Sequence, residues 1–443
     1  MANIISKSLV AAAVAFTPMT AMAIDWQQSK GQEITLLLNA HPWTTAVEAR
    51  LPEFEKLTGI KVNLQTYPED LYLDRMQLAV RSKTAVADVY FASLDTVAYS
   101  QWSAGLMEPL TPFINDPSLT DANYEINDFP EGFRLSASFP PGAPDAEMYG
   151  IPITSEAYML FYNKELVNQY LDGKVPETLE DLVASAQKIS AEGEGKVFGA
   201  VARGARNVGI FDTVSGVIFD SWGEPSPALP YNIWFDGDWS KPRMTDPRIV
   251  QGMANYSGLL KAAPSNALSM DWPEATQLFK EGRAAFYIDA SVFGPTFEDE
   301  AQSKVAGNVG YAPIPPATAG GNTRSGQWLW SLAIPKNSEH KNAAWLFVQW
   351  ATSKDLDMTN GMATGGAPRL STWANPEFTA SLNPEFVSAV SVAMNNTSPT
   401  AVFKEGWEEG ALMVIDAIHQ IYSGTDPQTA AEELESNISS VIR

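Results

Sequence analysis

Apolar and polar residues alternate along this chain in two distinct periods, and the switches between them mark out strands and helices. "ITLLLN" (Ile34–Asn39) is an apolar run of strand length. Val47, Leu51, Phe54 and Thr58 then recur every three or four residues, which is one helix face, and Thr58–Gly59 supplies its stop. "IKVNLQTY" (Ile60–Tyr67) alternates apolar and polar and reads as a second strand. Strand, helix, strand in this order is a βαβ unit, which predicts a parallel sheet of the α/β class. "LYLDRMQLAVRS" reads as the next helix, and "ADVYFASLD", ending at Asp95, as the next strand.

From Thr111 to Glu147 the chain is rich in Pro, Asp and Ser and reads as loop with short helices. "MYGIPITSEAYMLFYNKEL" (Met148–Leu166) resumes strand character, with Glu156 set between two apolar blocks. A buried carboxylate is costly unless hydrogen-bonded. Glu156 is therefore either paired inside the protein or kept for a ligand. "VPETLEDLVASAQKIS" starts a helix with Thr178 as its N-cap, and Ile249, Met253, Tyr256 and Leu260 form another helical stripe. "GRAAFYIDAS" and "QWLWSLAIPK" read as strands, and "KNAAWLFVQWATS" as a helix. Two helical stretches close the chain, around Leu412–Ile415–His419–Tyr422 and Leu434–Ile438–Val441.

The 443 residues exceed one ordinary core and predict two domains. Hydrophobic residues at 45% argue against disorder. The formal charge of -23 repels phosphate backbones and anionic membranes, so no nucleic-acid partner is expected. The absence of cysteine excludes disulfides, thiolate chemistry and a lipidated N-terminal cysteine. His41, His340 and His419 are scattered without metal-ligand spacing, and no phosphate-loop pattern occurs, so neither metal nor cofactor is expected. The N-terminus reads as an export signal: a short segment ending in Lys7, the apolar "SLVAAAVAFTPM", and "AMA" at Ala21–Ala23. The apolar run is too short to span a bilayer. Cleavage after Ala23 and a periplasmic protein that is not a lipoprotein are the expectation.

Several segments together carry a family resemblance: "EFEKLTGIKV", "YGIPI…LFYNKEL", "VPETLEDLV", "FKEGRAAFYIDAS" and "WSLAIPKNSEHKNAAWLFVQW". In this order the chain resembles the extracellular solute-binding proteins of ABC importers (family 1), in the sugar- and polyol-binding cluster that includes maltose-binding protein. The resemblance covers nearly the whole chain after the signal. It implies an α/β, two-lobe periplasmic-binding-protein (Venus-flytrap) fold, type II-like, with two or three hinge crossings. Lobe I would be residues 24–152 plus 320–378, and lobe II residues 153–319 plus 379–443. "YGIPIT" and "PPATAGG" would be crossings, and the ligand would lie between the lobes. The implied partners are a small carbohydrate or polyol and, transiently, the ABC permease, with the binding protein a monomer.

The resemblance also implies site residues. "IPITSEAYMLFYNK" places Glu156 on a sugar-binding glutamate, where a carboxylate would accept charge-assisted bonds from hydroxyls. It puts a ligand-contacting polar residue at His41 and an acid at Asp95. Ala92 and Thr96 depart from the maltose-binding pattern there, which puts maltodextrin specificity in doubt. "FYIDASVFG" offers Asp289 and Phe293, and "GQWLWSLAIPK" sets Trp328 and Trp330 on one strand face. Trp43, Arg369 in "GGAPRLSTW" and Trp407 in "KEGWEEG" complete the candidates. Two other readings stay open. Arg203, Arg206, Arg324 and Arg369 would serve an anionic sugar derivative, such as a phosphorylated or sulfonated glycerol glycoside. Asp95 and Glu156 could pair as the carboxylates of a glycoside hydrolase; the chain-wide resemblance to binders argues against an enzyme.

Overall fold

The computed structural model describes residues 24–94, 97–224, 232–400 and 402–442. The expected export signal and Asp95 lie outside the described residues. The strands, in chain order, are β1 (Glu33–Asn39), β2 (Lys61–Tyr67), β3 (Val89–Ser93), β4 (Ser138–Phe139), β5 (Glu147–Met148), β6 (Ile151–Asn163), β7 (Phe198–Val201), β8 (Ala284–Ala290), β9 (Val309–Pro313), β10 (Ser325–Ala333) and β11 (Thr397–Pro399). One sheet runs in the order β2-β1-β3-β10-β6-β8-β7, with β9 added on β6 and β11 on β10.

The βαβ unit read from the sequence opens the fold. β1 and β2 are parallel, with Glu33 opposite Lys61, and β3 joins β1 in parallel on the other side. The helix between them differs from expectation: it is two helices, Pro42–Glu48 and Leu51–Thr58. Pro52 explains the break, because a residue without an N–H starts a helix rather than continuing one. Gly59 then ends the second helix in the left-handed region at φ 70°.

β6 is the organising strand. It is buried at every position but Tyr162, so both its faces are covered, which is why its sequence shows no alternation. Residues Ile151 to Ala157 pair antiparallel with β10. Residues Tyr158 to Asn163 pair antiparallel with β8 and β9. The strand thus passes from one group of partners to the other within the stretch singled out for Glu156. Where Trp330 faces Thr154 and Ser331 faces Pro152, Ile153 is an extra residue in β6. Pro152 cannot donate to a ladder, and a bulge is where a strand tolerates that.

Helices cover the sheet by the predicted faces. Thr178 caps Leu179–Glu192, accepting from the Asp181 N–H at 3.1 Å, and Leu179, Leu182, Ala186 and Ile189 are buried. Ile249, Met253, Tyr256 and Leu260 are the buried stripe of Pro247–Lys261. The chain closes with Trp407–Tyr422 and Pro427–Ile438; Val441 falls beyond the last helix. Among the described residues no helix is long and apolar enough to cross a membrane.

Candidate ligand cavity

A small cavity opens where the strand ends of the two halves of the sheet meet. His41, Glu69, Glu156, Tyr158, Arg203, Asp212, Trp272, Phe293, Trp328 and Trp330 line it, around a volume of about 10 Å³. That is room for about one water, far below the roughly 300 Å³ of an open ligand site, so the walls stand closed on one another.

Glu156 and Trp328 are directly paired across β6 and β10, which fixes both side chains at one place on the sheet. Thr154 donates its hydroxyl to Glu156 Oε1 at 3.2 Å. His41 caps the helix Pro42–Glu48: its Nδ1 accepts from the Trp43 N–H at 3.1 Å. A neutral ring therefore carries its proton on Nε2, which lies 3.4 Å from Glu156 Oε1.

Arg203, just past β7, is 3% exposed, and its charge is already matched. Nε donates to Asp289 Oδ2 at 2.8 Å and Nη2 donates to Asp289 Oδ1, a two-pronged pair. Nη1 donates to the Gly209 carbonyl at 3.2 Å. Asp212, in the helix Phe211–Trp222, hydrogen-bonds with Tyr158 and accepts from Thr400 Oγ1 at 3.3 Å. Burial pushes the Asp212 carboxyl well above the usual range, only partly offset by Arg203. Glu69 accepts from Asn39 Nδ2 at 3.3 Å and from Trp272 Nε1 at 3.1 Å. Its carboxyl is pushed up to about 7, chiefly by burial, with Asp271 and Glu156 adding to the rise and Arg203 opposing it.

The aromatic walls are ordered by each other. Trp272 stacks on Phe293 with centroids 5.3 Å apart and planes at 21°. Trp328 meets Trp330 edge-on at 5.0 Å, and Trp330 in turn rests on Phe91. Trp328 Nε1 is buried and has no hydrogen-bond partner among the described residues. The indole N–H groups of Trp234 and Trp407, away from the cavity, are in the same state, so this feature does not by itself mark a ligand. Carboxylates that accept, an imidazole and a phenol that donate, and flat apolar rings together suit a small molecule with many hydroxyls and C–H faces. Three carboxyl groups face the space while the one cation is spent on Asp289, so a ligand anion meets no spare positive charge. Among the described residues no cluster of His, Asp and Glu could hold a metal ion.

Five expected site residues come together here: His41, Glu156, Phe293, Trp328 and Trp330. Of the other described candidates, Asp289, Trp43, Trp407 and Arg369 do not line the space. Asp289 stands one layer back, as the counter-charge of Arg203. Trp43, expected as a stacking residue, is 1% exposed in the core, edge-on to Phe91 at 5.4 Å, because the His41 cap turns it inward. Trp407 is packed against Phe211 and Trp234, each 5.6 Å away, at the buried start of its helix. Arg369, expected to meet a ligand, is wholly buried elsewhere, paired with Asp128 at 3.1 Å and donating to the Thr352 carbonyl at 2.8 Å.

Sequence reasoning missed Glu69, Tyr158, Asp212 and Trp272, and weighed Arg203 only as a free charge. Tyr158 lies two residues past Glu156, so strand alternation pointed to it. Asp212 interrupts the apolar "GIFDTVSG" as Glu156 interrupts its own run. Glu69 and Trp272 each follow or precede a proline at a helix start and carry no such signal.

A closed polar and aromatic cavity beside the change of partners along β6 is the kind of place where α/β proteins hold small molecules. Residues 41–358 match the bacterial extracellular solute-binding protein family, and the chain belongs to it. The erythritol/L-threitol-binding protein of Mycolicibacterium smegmatis is 29% identical over 339 residues, 75% of this chain and 69% of that protein. The mannitol-binding protein of Pseudomonas aeruginosa is 29% identical over 259 residues, 57% of this chain and 53% of that one. A solute-binding protein of an Agrobacterium radiobacter ABC transporter, solved in complex with ribitol, superposes with a TM-score of 0.78 at 23% identity, covering 93% of this chain and 99% of that chain. These neighbours have the two-lobe solute-binding fold, as expected from the sequence. Family membership makes this an exported protein, periplasmic or secreted.

Proposed function

We propose that this protein is the periplasmic receptor of a carbohydrate ABC importer and that its cavity clamps a short, neutral sugar alcohol or a sugar of similar size. The observation that carries this reading is the cavity wall: Glu69, Glu156 and Asp212 beside Trp272, Phe293, Trp328 and Trp330, with Arg203 neutralised. Hydroxyl-rich neutral molecules satisfy such a wall, and the names of the relatives, binders of erythritol or L-threitol and of mannitol, point the same way. A phosphorylated or sulfonated glycoside fits poorly, because its charge would face carboxyl groups. The reading includes the lobe partition expected from the sequence (24–152 plus 320–378; 153–319 plus 379–443), supported by the change of partners along β6. It also includes cleavage after Ala23, an unlipidated monomer, a transient complex with the permease, and release of the ligand chemically unchanged.

A thermal-shift screen tests it, since a ligand bound only by the folded state raises the melting temperature. Erythritol, ribitol or mannitol should raise it, and calorimetry should return the ligand intact. Glu156→Gln should weaken binding by about ten- to a hundredfold, the loss of one charge-assisted hydrogen bond worth roughly 1.5–3 kcal/mol. A response confined to anionic derivatives, or unchanged affinity in Glu156→Gln, would overturn the assignment.

A further inference from the structure

Glu69 and Trp272 line the cavity and also touch each other, although they belong to opposite sides of it. Glu69 opens the helix Glu69–Arg81, which packs on β1 and β2. Trp272 opens the helix Trp272–Lys280, which packs on β8 and β7. The indole Nε1 donates to Glu69 Oε2 at 3.1 Å, a charge-assisted bond when the carboxyl is ionised. Two wall residues bonded across a cavity leave no opening between them.

Both partners are held from behind. The Trp272 backbone N–H donates to Asp271 Oδ1 at 2.7 Å in a capping box with Glu274, and the indole face rests on Phe293. Asn39 Nδ2 donates to the same Glu69 oxygen that Trp272 uses. The other oxygen, Oε1, comes so close to Gly209 that a Cβ there would lie 2.8 Å from it. Gly209 is fixed in turn by its carbonyl, which accepts from Arg203. A glycine, an arginine pair and a helix cap thus converge on one carboxylate-indole contact.

We infer that the Glu69–Trp272 contact is the end wall that sets how long a ligand the cavity accepts. This rests on the polyol reading above and adds to it the residues that decide chain length. A wall of this kind discriminates by shape. A ligand that reaches it must part the contact, which further carbinol units demand more of, and pockets reject an extra group by about ten- to two-hundredfold.

Calorimetry with erythritol, ribitol, mannitol and maltose tests it on the wild type and on Trp272→Ala, Glu69→Ala and Glu69→Gln. Trp272→Ala and Glu69→Ala should raise the mannitol-to-erythritol affinity ratio by at least about tenfold. Glu69→Gln, whose amide oxygen still accepts from the indole, should shift the ratio less than Glu69→Ala does. If Trp272→Ala does not fold, Trp272→Phe keeps a ring against Phe293 while removing the N–H and part of the indole, and it should shift the ratio in the same direction. Equal weakening of every ligand in the alanine variants would make Trp272 a plain contact and overturn the end wall alone. A wild type that binds none of the four would overturn the polyol reading and the wall with it.

Discussion

Two arginines are buried to nearly the same degree, Arg203 at 3% and Arg369 at 0% exposure. Each pairs with an aspartate, and each lies over aromatic rings: Arg203 over Phe293 at 6.0 Å, Arg369 over Phe129 at 4.2 Å. Their surroundings differ. Around Arg369 every nearby acid is used up inside the protein. Asp128 accepts from the Ser371 N–H and hydroxyl, and Asp357 accepts from Thr372 Oγ1. The guanidinium itself bonds the carbonyls of Thr352 and Glu125, which ties a loop down. Around Arg203 the acids Glu69, Glu156 and Asp212 line a cavity. A buried ion pair does not mark a site; the acids that line a cavity beside it do.

The largest effects should come from stripping each arginine of its partner. Asp289→Ala and Asp128→Ala both leave a buried guanidinium uncompensated, which costs about 3–5 kcal/mol of stability. Denaturant titration should find similar losses in the two variants. Calorimetry under conditions where both stay folded should find polyol affinity lost only in Asp289→Ala. Equal affinity losses would erase the distinction between the two regions.

The tryptophans sharpen the same contrast. Trp407→Ala should lower stability by roughly 3–5 kcal/mol and leave the affinity of the folded fraction alone. Trp328→Ala, at the cavity, should lose at least about 1 kcal/mol of affinity. A Trp328→Ala variant with wild-type affinity would take that residue out of the site.

The smallest effect is a pH slope. Glu69 near Arg203 and Asp357 near Arg369 are both pushed up to about 7 by burial, from ordinary values of 4.5 and 3.8. Between those limits the folded state holds more protons than the unfolded one, so stability falls as pH rises and levels off above about 7. The ligand-free melting temperature should therefore be higher at pH 5 than at pH 8. Glu69→Gln and Asp357→Asn should each flatten the slope, and saturating ligand should alter only the part that Glu69→Gln removes. A slope of opposite sign would show that these carboxyl groups are ionised without penalty.

Much of the framework was legible before the structure. The opening βαβ unit, the caps at Thr178 and Gly59, and the buried stripe of Pro247–Lys261 follow from local rules that tertiary contacts reinforce. Glu156 was legible because a carboxylate in an apolar strand violates those rules. Trp43 and Arg369 stand away from this cavity, and the sequence does not show that, because a large or charged residue beside a turn looks available until packing is known. The Glu69–Trp272 contact was illegible. Its partners are 203 positions apart in sequence, and each resembles an ordinary first-turn residue of a helix.

β6 has a consequence for how the chain comes apart. Its first half completes the pairing of β10 and its second half that of β8 and β9. Neither half of the sheet can melt without stripping the other of a central strand. The two groups of strands should therefore unfold in one cooperative step, because both are completed by the same strand.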